Sequence, residues 1–336
     1  MNKLSKEKYS CTPSHIYTMK EIKFCDLCGN KEFEFLFLGH DRMYNIEGEY
    51  SMYRCKKCGL LFINPQPAEK ELAHHYPAYN YYSLGDTMPS WKKKLLPTLY
   101  KTYYSKKGKS SLKIVFFPVL PLLRFTKILP KGKILDVGCG LGNFLALMKH
   151  FGMECYGVEP GKFNEEFAKE NNLKIKNCTF SEAYYPDNYF DVITLNHVLE
   201  HTRCPTETLN KLNHILKPRG TLIITIPQSD SLAYKMFGRF WVQLDIPRHL
   251  FIFQVKTIKA YARKTGFKIE KIRYNSTSFQ FLGSLFYLIN KYRKKEKFLS
   301  DRNFVNNPLL VFLFLPFAYI CNFIKMGDQI EMVLKK

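Results

Sequence analysis

The feature that most constrains this chain is a regular alternation of strand-like and helix-like segments that begins near residue 131. Six apolar runs, each short enough for a buried strand, are separated by more polar stretches, and a seventh alternating run closes the chain. Such alternation predicts a parallel sheet with helices on both faces, because parallel strands need a crossover connection. The predicted class is therefore α/β with a seven-stranded sheet.

A glycine-rich turn joins the first predicted strand to the helix after it. The run ILDVGCGLGN places Asp136 at the end of the strand and Gly138, Gly140 and Gly142 in the turn. Glycine allows a positive φ and lets the backbone approach a ligand closely. The spacing departs from a dinucleotide-binding loop, and Asp136 suits an ammonium group but would repel a pyrophosphate. Glu159 ends the second strand, where it is placed to accept hydrogen bonds from ribose hydroxyls.

These segments together resemble the class I S-adenosylmethionine-dependent methyltransferases. The resemblance rests on LDVGCGLGNF, GVEP, FDVITLNHVLEH and LKPRGTLIITIP, and it covers about residues 131–275 and the last strand. It implies a Rossmann-like sheet with a reversed last strand, S-adenosylmethionine as cofactor, and methyl transfer as activity. It also implies that the acidic, glycine-rich loop holds the methionine and ribose parts, that Glu159 binds the ribose, that Phe180 lines the adenine, and that Asn196 lies beside the methionine part.

Two matched cysteine pairs precede these segments. Cys25 and Cys28, and then Cys55 and Cys58, each form a C-x-x-C-G sequence. Two such turns can direct four thiolates at one centre, which predicts a tetrahedral zinc site without an open position and hence a structural one. Four free core cysteines are the alternative. A zinc knuckle followed by such a domain resembles a bacterial group associated with surface-polysaccharide or lipid-linked sugar pathways.

Methyl transfer to a hydroxyl or an acidic carbon needs a base, and the loops after the fourth and fifth strands lie where parallel sheets bind ligands. The candidates for the base in these loops are His197, His201 and His249. Alternatively, these histidines hold neighbouring residues in place through hydrogen bonds and take no part in the reaction. The loop after the fifth strand also supplies predicted substrate contacts, of which the guanidinium suits a phosphate or a carboxylate: Trp241, Asp245 and Arg248.

Composition and pattern divide the chain into segments. The stretch between the last two strands is too long for a loop, so it is expected to carry two apolar helices. Its uncharged part, residues 308–324, is at the short limit for a membrane span and contains a proline, so we interpret it as a buried or interfacial helix. The predicted segments are a flexible lead (1–19), a zinc ribbon (20–64), linker helices with a basic stretch (65–130), a methyltransferase domain (131–275), an apolar helical insert (276–325) and the final strand (326–336).

The formal net charge of +22 favours an anionic partner. The first hypothesis is a methyltransferase for a sugar or lipid-linked sugar, approached at a membrane surface through the basic stretch and the insert. The second is an RNA methyltransferase that binds RNA through the zinc ribbon and basic surface, although NHVLEH lacks the N-P-P-aromatic motif of adenine methylation. The third is a non-enzymatic binding module, against which the intact Asp136, glycines and Glu159 argue.

The N-terminus has no apolar run typical of a secretory signal peptide. Ten cysteines in such a chain favour reduced thiols and metal over disulfides. We therefore expect a cytoplasmic protein, located at the inner face of the membrane if the lipid-linked hypothesis holds.

Overall fold

The computed structural model describes residues 19–76, 95–99, 131–161, 163–293 and 304–336. The predicted flexible lead, apart from its last residue, lies outside these residues, as does most of the predicted basic linker. The alternating strands and helices of the second half of the chain are described almost completely.

The N-terminal part forms a four-stranded antiparallel sheet. With strands numbered in chain order, the sheet order is β1 (Phe33–Gly39), β2 (Tyr50–Cys55), β3 (Leu61–Ile63) and β9 (Phe251–Ile252). The last of these strands follows the loop after the fifth predicted strand, and it pairs Phe251 with Phe62 on β3. A short helix, α1 (Glu69–His74), follows β3. The N-terminal sheet is therefore completed by a strand from the far half of the chain.

A seven-stranded sheet forms the second layer, in the order β10-β11-β8-β7-β4-β5-β6. The pairs among β4 to β8 are parallel, whereas β11 is antiparallel to both of its neighbours. The predicted Rossmann-like sheet with a reversed last strand is thus confirmed. Its strands are β4 (Lys133–Val137), β5 (Glu154–Val158), β6 (Lys174–Lys176), β7 (Phe190–Asn196), β8 (Leu216–Pro227), β10 (Lys268–Tyr274) and β11 (Gln329–Lys335).

Helices cover both faces of this sheet, and β4 shows why the centre of such a strand is apolar. Ile134 and Leu135 are both fully buried but belong to different core clusters, because successive strand residues point to opposite faces. The cluster around Leu135 continues into Cys55 and Phe62 of the N-terminal sheet, so the two sheets share one core. The helices between these strands are α2 (Asn143–His150), α3 (Glu165–Glu170), α4 (Pro205–Ile215), α5 (Leu232–Phe237) and α6 (Val255–Lys264).

Two further helices lie between β10 and β11: α7 (Phe279–Arg293) and α8 (Pro308–Phe323). They pack through the stacked rings of Phe281 and Phe314, whose centroids are 6.1 Å apart. Among the described residues, no helix has both the length and the apolar character that crossing a membrane requires.

The fold gathers one set of loops at one edge of the large sheet. The carboxyl ends of the parallel strands β4, β5, β7 and β8 lie there, and the antiparallel strand β11 begins there, with Gln329 opposite Pro227. We call this edge the carboxyl edge. Ligands of open α/β sheets bind at this edge, so it is where a site is expected.

Candidate active site and zinc centre

The glycine-rich turn after β4 adopts a backbone that only glycine accommodates well. Gly138, Gly140 and Gly142 have φ angles of +68°, +54° and +78°. A Cβ atom on Gly138 would lie 2.6 Å from Cγ2 of Val198, so a side chain is excluded by space as well as by conformation. The turn therefore follows a tight path at the carboxyl edge that side chains would block.

Glu159 fixes this turn from the end of β5. Its Oε2 accepts a hydrogen bond from the N–H of Gly140 at 2.8 Å, and its Oε1 accepts one from the N–H of Gly161 at 2.9 Å. The Nδ2 group of Asn177 donates to the carbonyls of Glu159 and Gly161 at 2.8 and 2.7 Å. The predicted ribose-binding carboxylate thus lies beside the turn, and Asn177 is a supporting residue that no local sequence signal marks.

Asp136 lies at the base of the same turn but faces the neighbouring strand. Its side chain is fully buried, and its Oδ1 accepts a hydrogen bond from the hydroxyl of Thr194 at 2.5 Å. This contact ties the end of β4 to β7. A direct contact between Asp136 and an ammonium group stays a prediction.

The two remaining predicted cofactor residues lie on either side of the turn. Asn196 is the last residue of β7 and is half-buried at the carboxyl edge. Phe180 follows β6, and Lys211 holds it by donating to its carbonyl at 2.7 Å and by placing its ammonium 4.9 Å from the ring centroid. The segment predicted to line the adenine is therefore anchored to α4.

His197 occupies a left-handed backbone conformation directly after β7, with a φ of +54°. Its Nδ1 lies 3.1 Å from Oε1 of the fully buried Glu200, and its Nε2 lies 2.9 Å from Oε1 of Gln329. Burial opposes a charge on this ring, but the hydrogen bond and negative charge of Glu200 outweigh it and raise the pKa of His197. The imidazole retains 23% of its surface exposed, so it can meet a ligand.

The rings of His201 and His249 contact each other. Their ring centroids are 4.7 Å apart, and His249 is buried. The Nδ1 of His201 lies 2.9 Å from the carbonyl of Arg248, and the Nδ1 of His249 lies 2.8 Å from the carbonyl of Gln243. Burial and the nearby charge of His249 lower the pKa of His201 to about 4. Both rings are held by backbone carbonyls, unlike the more open His197.

Comparison with known proteins assigns the part of the chain that carries this geometry. Residues 117–272 match the family model described as a methyltransferase domain. This part of the chain is a class I S-adenosylmethionine-dependent methyltransferase domain.

The relatives differ in what their names say they act on. A tRNA U34 carboxymethyltransferase of Idiomarina loihiensis is 28% identical over 44% of this chain and 49% of its own length. A ubiquinone biosynthesis O-methyltransferase of Bradyrhizobium diazoefficiens is 28% identical over 34% of this chain and 49% of its own length. The chain therefore spans about half the length of these relatives.

Among solved structures, a SAM-dependent methyltransferase from Archaeoglobus fulgidus is similar at 21% identity. The similarity covers 71% of this chain and 98% of that one, with a TM-score of 0.39. At this distance it carries no argument about the reaction.

In the methyltransferase domain, the segment between β8 and β9 (residues 228–250) is held by a buried arginine. Arg248 donates to Asp41 at 2.7 and 2.9 Å, to Oδ1 of Asp245 at 3.0 and 2.6 Å, and to the carbonyl of His75 at 3.0 Å. These five bonds use all five N–H groups of a guanidinium. In this arrangement Arg248 has no donor left for an anionic acceptor, so it supports the loop rather than the predicted contact.

Asp41, the partner of Arg248 from the N-terminal part, is equally buried. Burial alone would raise the pKa of Asp41, but hydrogen bonds from His75 and Arg248 lower it to about 2. Asp245, predicted as a substrate contact, is the other carboxylate of this network. The segment after β8 is thus pinned to the N-terminal part by a buried ionic network.

Trp241, the third predicted substrate contact, is also buried. Its indole N–H donates to Oδ2 of Asp328 at 3.2 Å, just before β11. Burial raises the pKa of Asp328 to about 6. The structure therefore brings Trp241 close to the carboxyl edge, but its side chain packs inside the loop.

Replacement of Asp328 by asparagine is expected to remove the loss of stability that ionisation of this buried carboxyl causes as the pH rises. An acid with a raised pKa binds more protons folded than unfolded, so ionisation of Asp328 destabilises the fold as the pH rises from 3.8 to about 6. The free energy of unfolding of Asp328→Asn, relative to wild type, should therefore increase over this range and level off above it. Urea unfolding at several pH values tests this. Asp187→Asn, at an exposed position, is the control, and its difference from wild type should not change with pH. A difference for Asp328→Asn that is likewise independent of pH would disprove the expectation.

The four cysteines of the two C-x-x-C-G turns meet at one point. Sγ of Cys25 lies 3.6 Å from that of Cys58, and Sγ of Cys28 lies 3.6 Å from that of Cys55. Tetrahedral Zn–S bonds of about 2.3 Å place sulfurs about 3.8 Å apart, so the thiolates fit a zinc ion. Four further described cysteines, Cys139, Cys155, Cys178 and Cys321, are free thiols outside this cluster.

The two turns are built alike. Cys25 and Cys55 each donate a backbone N–H to a carbonyl five residues on, and each accepts from the N–H of a glycine, Gly29 or Gly59, at 2.8 Å. Both glycines have positive φ angles, which explains the glycine of each motif. The thiolates are thus preorganised by a repeated backbone structure.

Proposed function

We propose that this protein transfers the methyl group of S-adenosylmethionine to a small-molecule acceptor, a sugar or a lipid-linked sugar of a surface glycan pathway. The sulfonium of this cofactor supplies an electrophilic methyl group. The observation that carries the proposal is the glycine turn clamped by Glu159 at the carboxyl edge, with His197 on the adjacent strand end. The residues that would hold the cofactor are Asp136, Gly138, Gly140, Gly142, Glu159, Phe180 and Asn196.

Among the three candidate histidines, we assign the base to His197. It is partly exposed at the carboxyl edge, whereas His249 is buried and His201 has a pKa lowered by burial. Glu200 accepts from Nδ1 and fixes the ring, as the third group of a catalytic triad does. Nε2 can then take a proton from the acceptor once its contact with Gln329 is exchanged.

The surface of α8 supports an acceptor that is reached at a membrane. Its exposed side chains recur every three or four residues, so they form one apolar face. A contiguous apolar patch of this kind marks an interaction surface, and it contributes nothing to binding a phosphate backbone. The face consists of Leu309, Phe312, Leu313, Phe317, Ile320 and Phe323, which are 55–88% exposed.

Basic side chains gather around an aromatic ring that packs near α8. Three cations surround the ring of Phe240, which packs in the same cluster as Leu310 and Phe314 of α8. A surface that combines apolar and basic groups fits the interface of an anionic lipid bilayer. This supports a location at the inner face of the membrane. The three cations are Arg42, Arg239 and Lys291, at 5.0, 5.3 and 5.2 Å from the ring centroid.

Replacing Phe312 and Phe323 together by serine is expected to reduce binding to anionic liposomes by about tenfold or more, because burial of each ring contributes roughly 1.5–3 kcal/mol. Co-sedimentation with phosphatidylglycerol vesicles measures this partitioning. Phe35→Ser, which removes an exposed ring from β1, is the matched control. Equal partitioning of the double variant and the control would argue against a lipid-binding face.

Transfer of a radiolabelled methyl group tests the function. Purified protein is incubated with labelled S-adenosylmethionine and either a lipid-linked saccharide extract or total RNA. Label in the saccharide fraction, lost in His197→Asn, is the expected result. Label in RNA would support the alternative of an RNA methyltransferase, and label in neither, with intact cofactor binding, would disprove the proposed acceptor.

We also propose that the four cysteines bind a structural zinc ion. Cys55→Ser should weaken and shift the thiolate-to-metal charge-transfer band of the cobalt-substituted protein and lower the melting temperature, because structural zinc contributes directly to folding. Cys178→Ser, at a free cysteine outside the cluster, should change neither. A band of unchanged intensity and position in Cys55→Ser would exclude this site.

A further inference from the structure

A second group of metal-ligating side chains lies between the loop after β7 and the segment before β9. The ligand atoms of Glu200, His201 and His249 all lie within 4.8 Å of one another. We propose that these three residues bind a divalent transition-metal ion, distinct from the ion of the cysteine cluster.

Both imidazoles present the correct nitrogen for this role. Carbonyl oxygens only accept hydrogen bonds, so hydrogen bonds to the carbonyls of Arg248 and Gln243 place a proton on Nδ1 of each histidine. Nδ1 of His201 also lies 3.0 Å from the hydroxyl of Tyr76, whose oxygen acts as an acceptor in this tautomer. In the neutral ring the lone pair is then on Nε2. A backbone carbonyl that fixes the tautomer in this way is the usual support of a metal-binding histidine.

The carboxylates around these rings have oxygens that lack a partner. Oε1 of Glu200 pairs with His197, but Oε2 is buried with no hydrogen-bond partner among the described residues. Oδ2 of Asp245 is likewise buried without a partner and lies 3.8 Å from Nε2 of His249. Leaving a buried acceptor unsatisfied is costly, and a cation held by Glu200 and the two histidines would satisfy the free oxygen of Glu200.

The balance of charge points the same way. The carboxylates of Asp41, Glu200 and Asp245 are buried. Arg248 pairs with Asp41 and Asp245, whereas the cationic groups around Glu200 are histidines, with Nδ1 of His197 at 3.1 Å. Buried carboxylates need cationic partners, and a divalent ion at Glu200 would place a permanent positive charge beside that carboxylate.

The donor set defines the class of ion. Two imidazole nitrogens with one or two carboxylate oxygens suit Zn²⁺ or Fe²⁺ rather than Mg²⁺ or Ca²⁺. Bonds of about 2.1 Å in a tetrahedral site separate ligand atoms by about 3.4 Å. The ligand atoms here lie within 4.8 Å of one another, so the side chains close by at most about 1.4 Å on binding. Because Glu200 also holds His197, the ion would fix the proposed base; that consequence rests on the proposed function, whereas the site does not.

Cobalt titration of the full-length protein tests the site. Co²⁺ bound by thiolates shows a charge-transfer band, whereas Co²⁺ bound by nitrogen and oxygen shows only weak visible bands. We expect wild type to bind an ion without thiolate bands in addition to the cysteine-bound one. His249→Asn keeps a donor near the carbonyl of Gln243 but removes Nε2. It should lower the affinity for this second ion by about 100-fold or more while leaving the thiolate band unchanged.

Two further variants make the result decisive. His201→Asn should reproduce the loss, and His214→Asn, at an exposed histidine, should bind as wild type does. Wild type that binds only thiolate-coordinated cobalt, or His201→Asn and His249→Asn proteins that retain the second ion, would overturn the proposal. Cofactor binding measured on the same samples separates this from a failure of the proposed function: the second ion without cofactor binding would disprove only the latter.

Discussion

Glu159→Ala is expected to weaken S-adenosylmethionine binding by about 100-fold or more. The carboxylate accepts two backbone hydrogen bonds that hold the glycine turn, and it is the proposed partner of the ribose. Hydrogen bonds to charged groups contribute about 1.5–3 kcal/mol each, and each 1.4 kcal/mol corresponds to tenfold in affinity. The expected effect combines loss of the proposed contact with the ribose and loss of the two hydrogen bonds that hold the glycine turn.

Isothermal titration calorimetry measures this change. Glu170→Ala, at an exposed position at the end of α3, is the matched control and should bind as wild type does. Glu159→Gln retains an acceptor without the charge, so an intermediate affinity is expected. A dissociation constant for Glu159→Ala within twofold of wild type would show that this carboxylate does not build the site.

The largest expected effect on stability comes from Arg248→Met. The substitution leaves Asp41 and Asp245 buried without their guanidinium, and breaking a buried ion pair from one side costs about 3–5 kcal/mol. Urea unfolding followed by circular dichroism measures the free energy of unfolding. Arg263→Met, at an exposed position on α6, should change it by less than about 0.5 kcal/mol.

A second substitution distinguishes lost charge pairing from lost packing. Adding Asp41→Asn to Arg248→Met removes one of the two uncompensated charges, so part of the stability should return, since contacting residues are not additive. An Arg248→Met protein as stable as the Arg263→Met control would mean that the buried network does not anchor the segment before β9.

The strands and the cysteine turns could be predicted because their signals are local. The apolar run of β4 is read directly from consecutive buried residues such as Ile134 and Leu135. The glycine turn and the two C-x-x-C-G sequences are equally contiguous, since each depends on backbone conformations that few residues other than glycine adopt. The reversed direction of β11 came from resemblance, as periodicity carries no information about strand direction.

The environment of the candidate site could not be predicted, because its contacts join distant segments. Nothing near Arg248 indicates that Asp41 and His75 surround it, so a guanidinium in a loop was interpreted as an anion-binding group. The addition of β9 to the N-terminal sheet is likewise a pairing of distant residues. Gln329 lies beside His197 only because β11 is antiparallel and begins at the carboxyl edge.

These long-range contacts connect the cysteine cluster to the site. The turn at Cys55 leads into β3, which pairs with β9, and β9 directly follows the segment that holds His249 and Arg248. A structural ion in this cluster would therefore stabilise the loop over the carboxyl edge as well as the N-terminal sheet. This gives the proposed zinc ion a role in positioning the site without a role in the chemistry.

Calorimetric titration of S-adenosylmethionine into the zinc-loaded wild-type protein tests the central claim most directly. One binding site per chain is expected, with a dissociation constant on the order of micromolar. A folded, zinc-loaded protein that binds no S-adenosylmethionine would contradict the account, and the chain would then have to be interpreted as a binding module built on a methyltransferase fold.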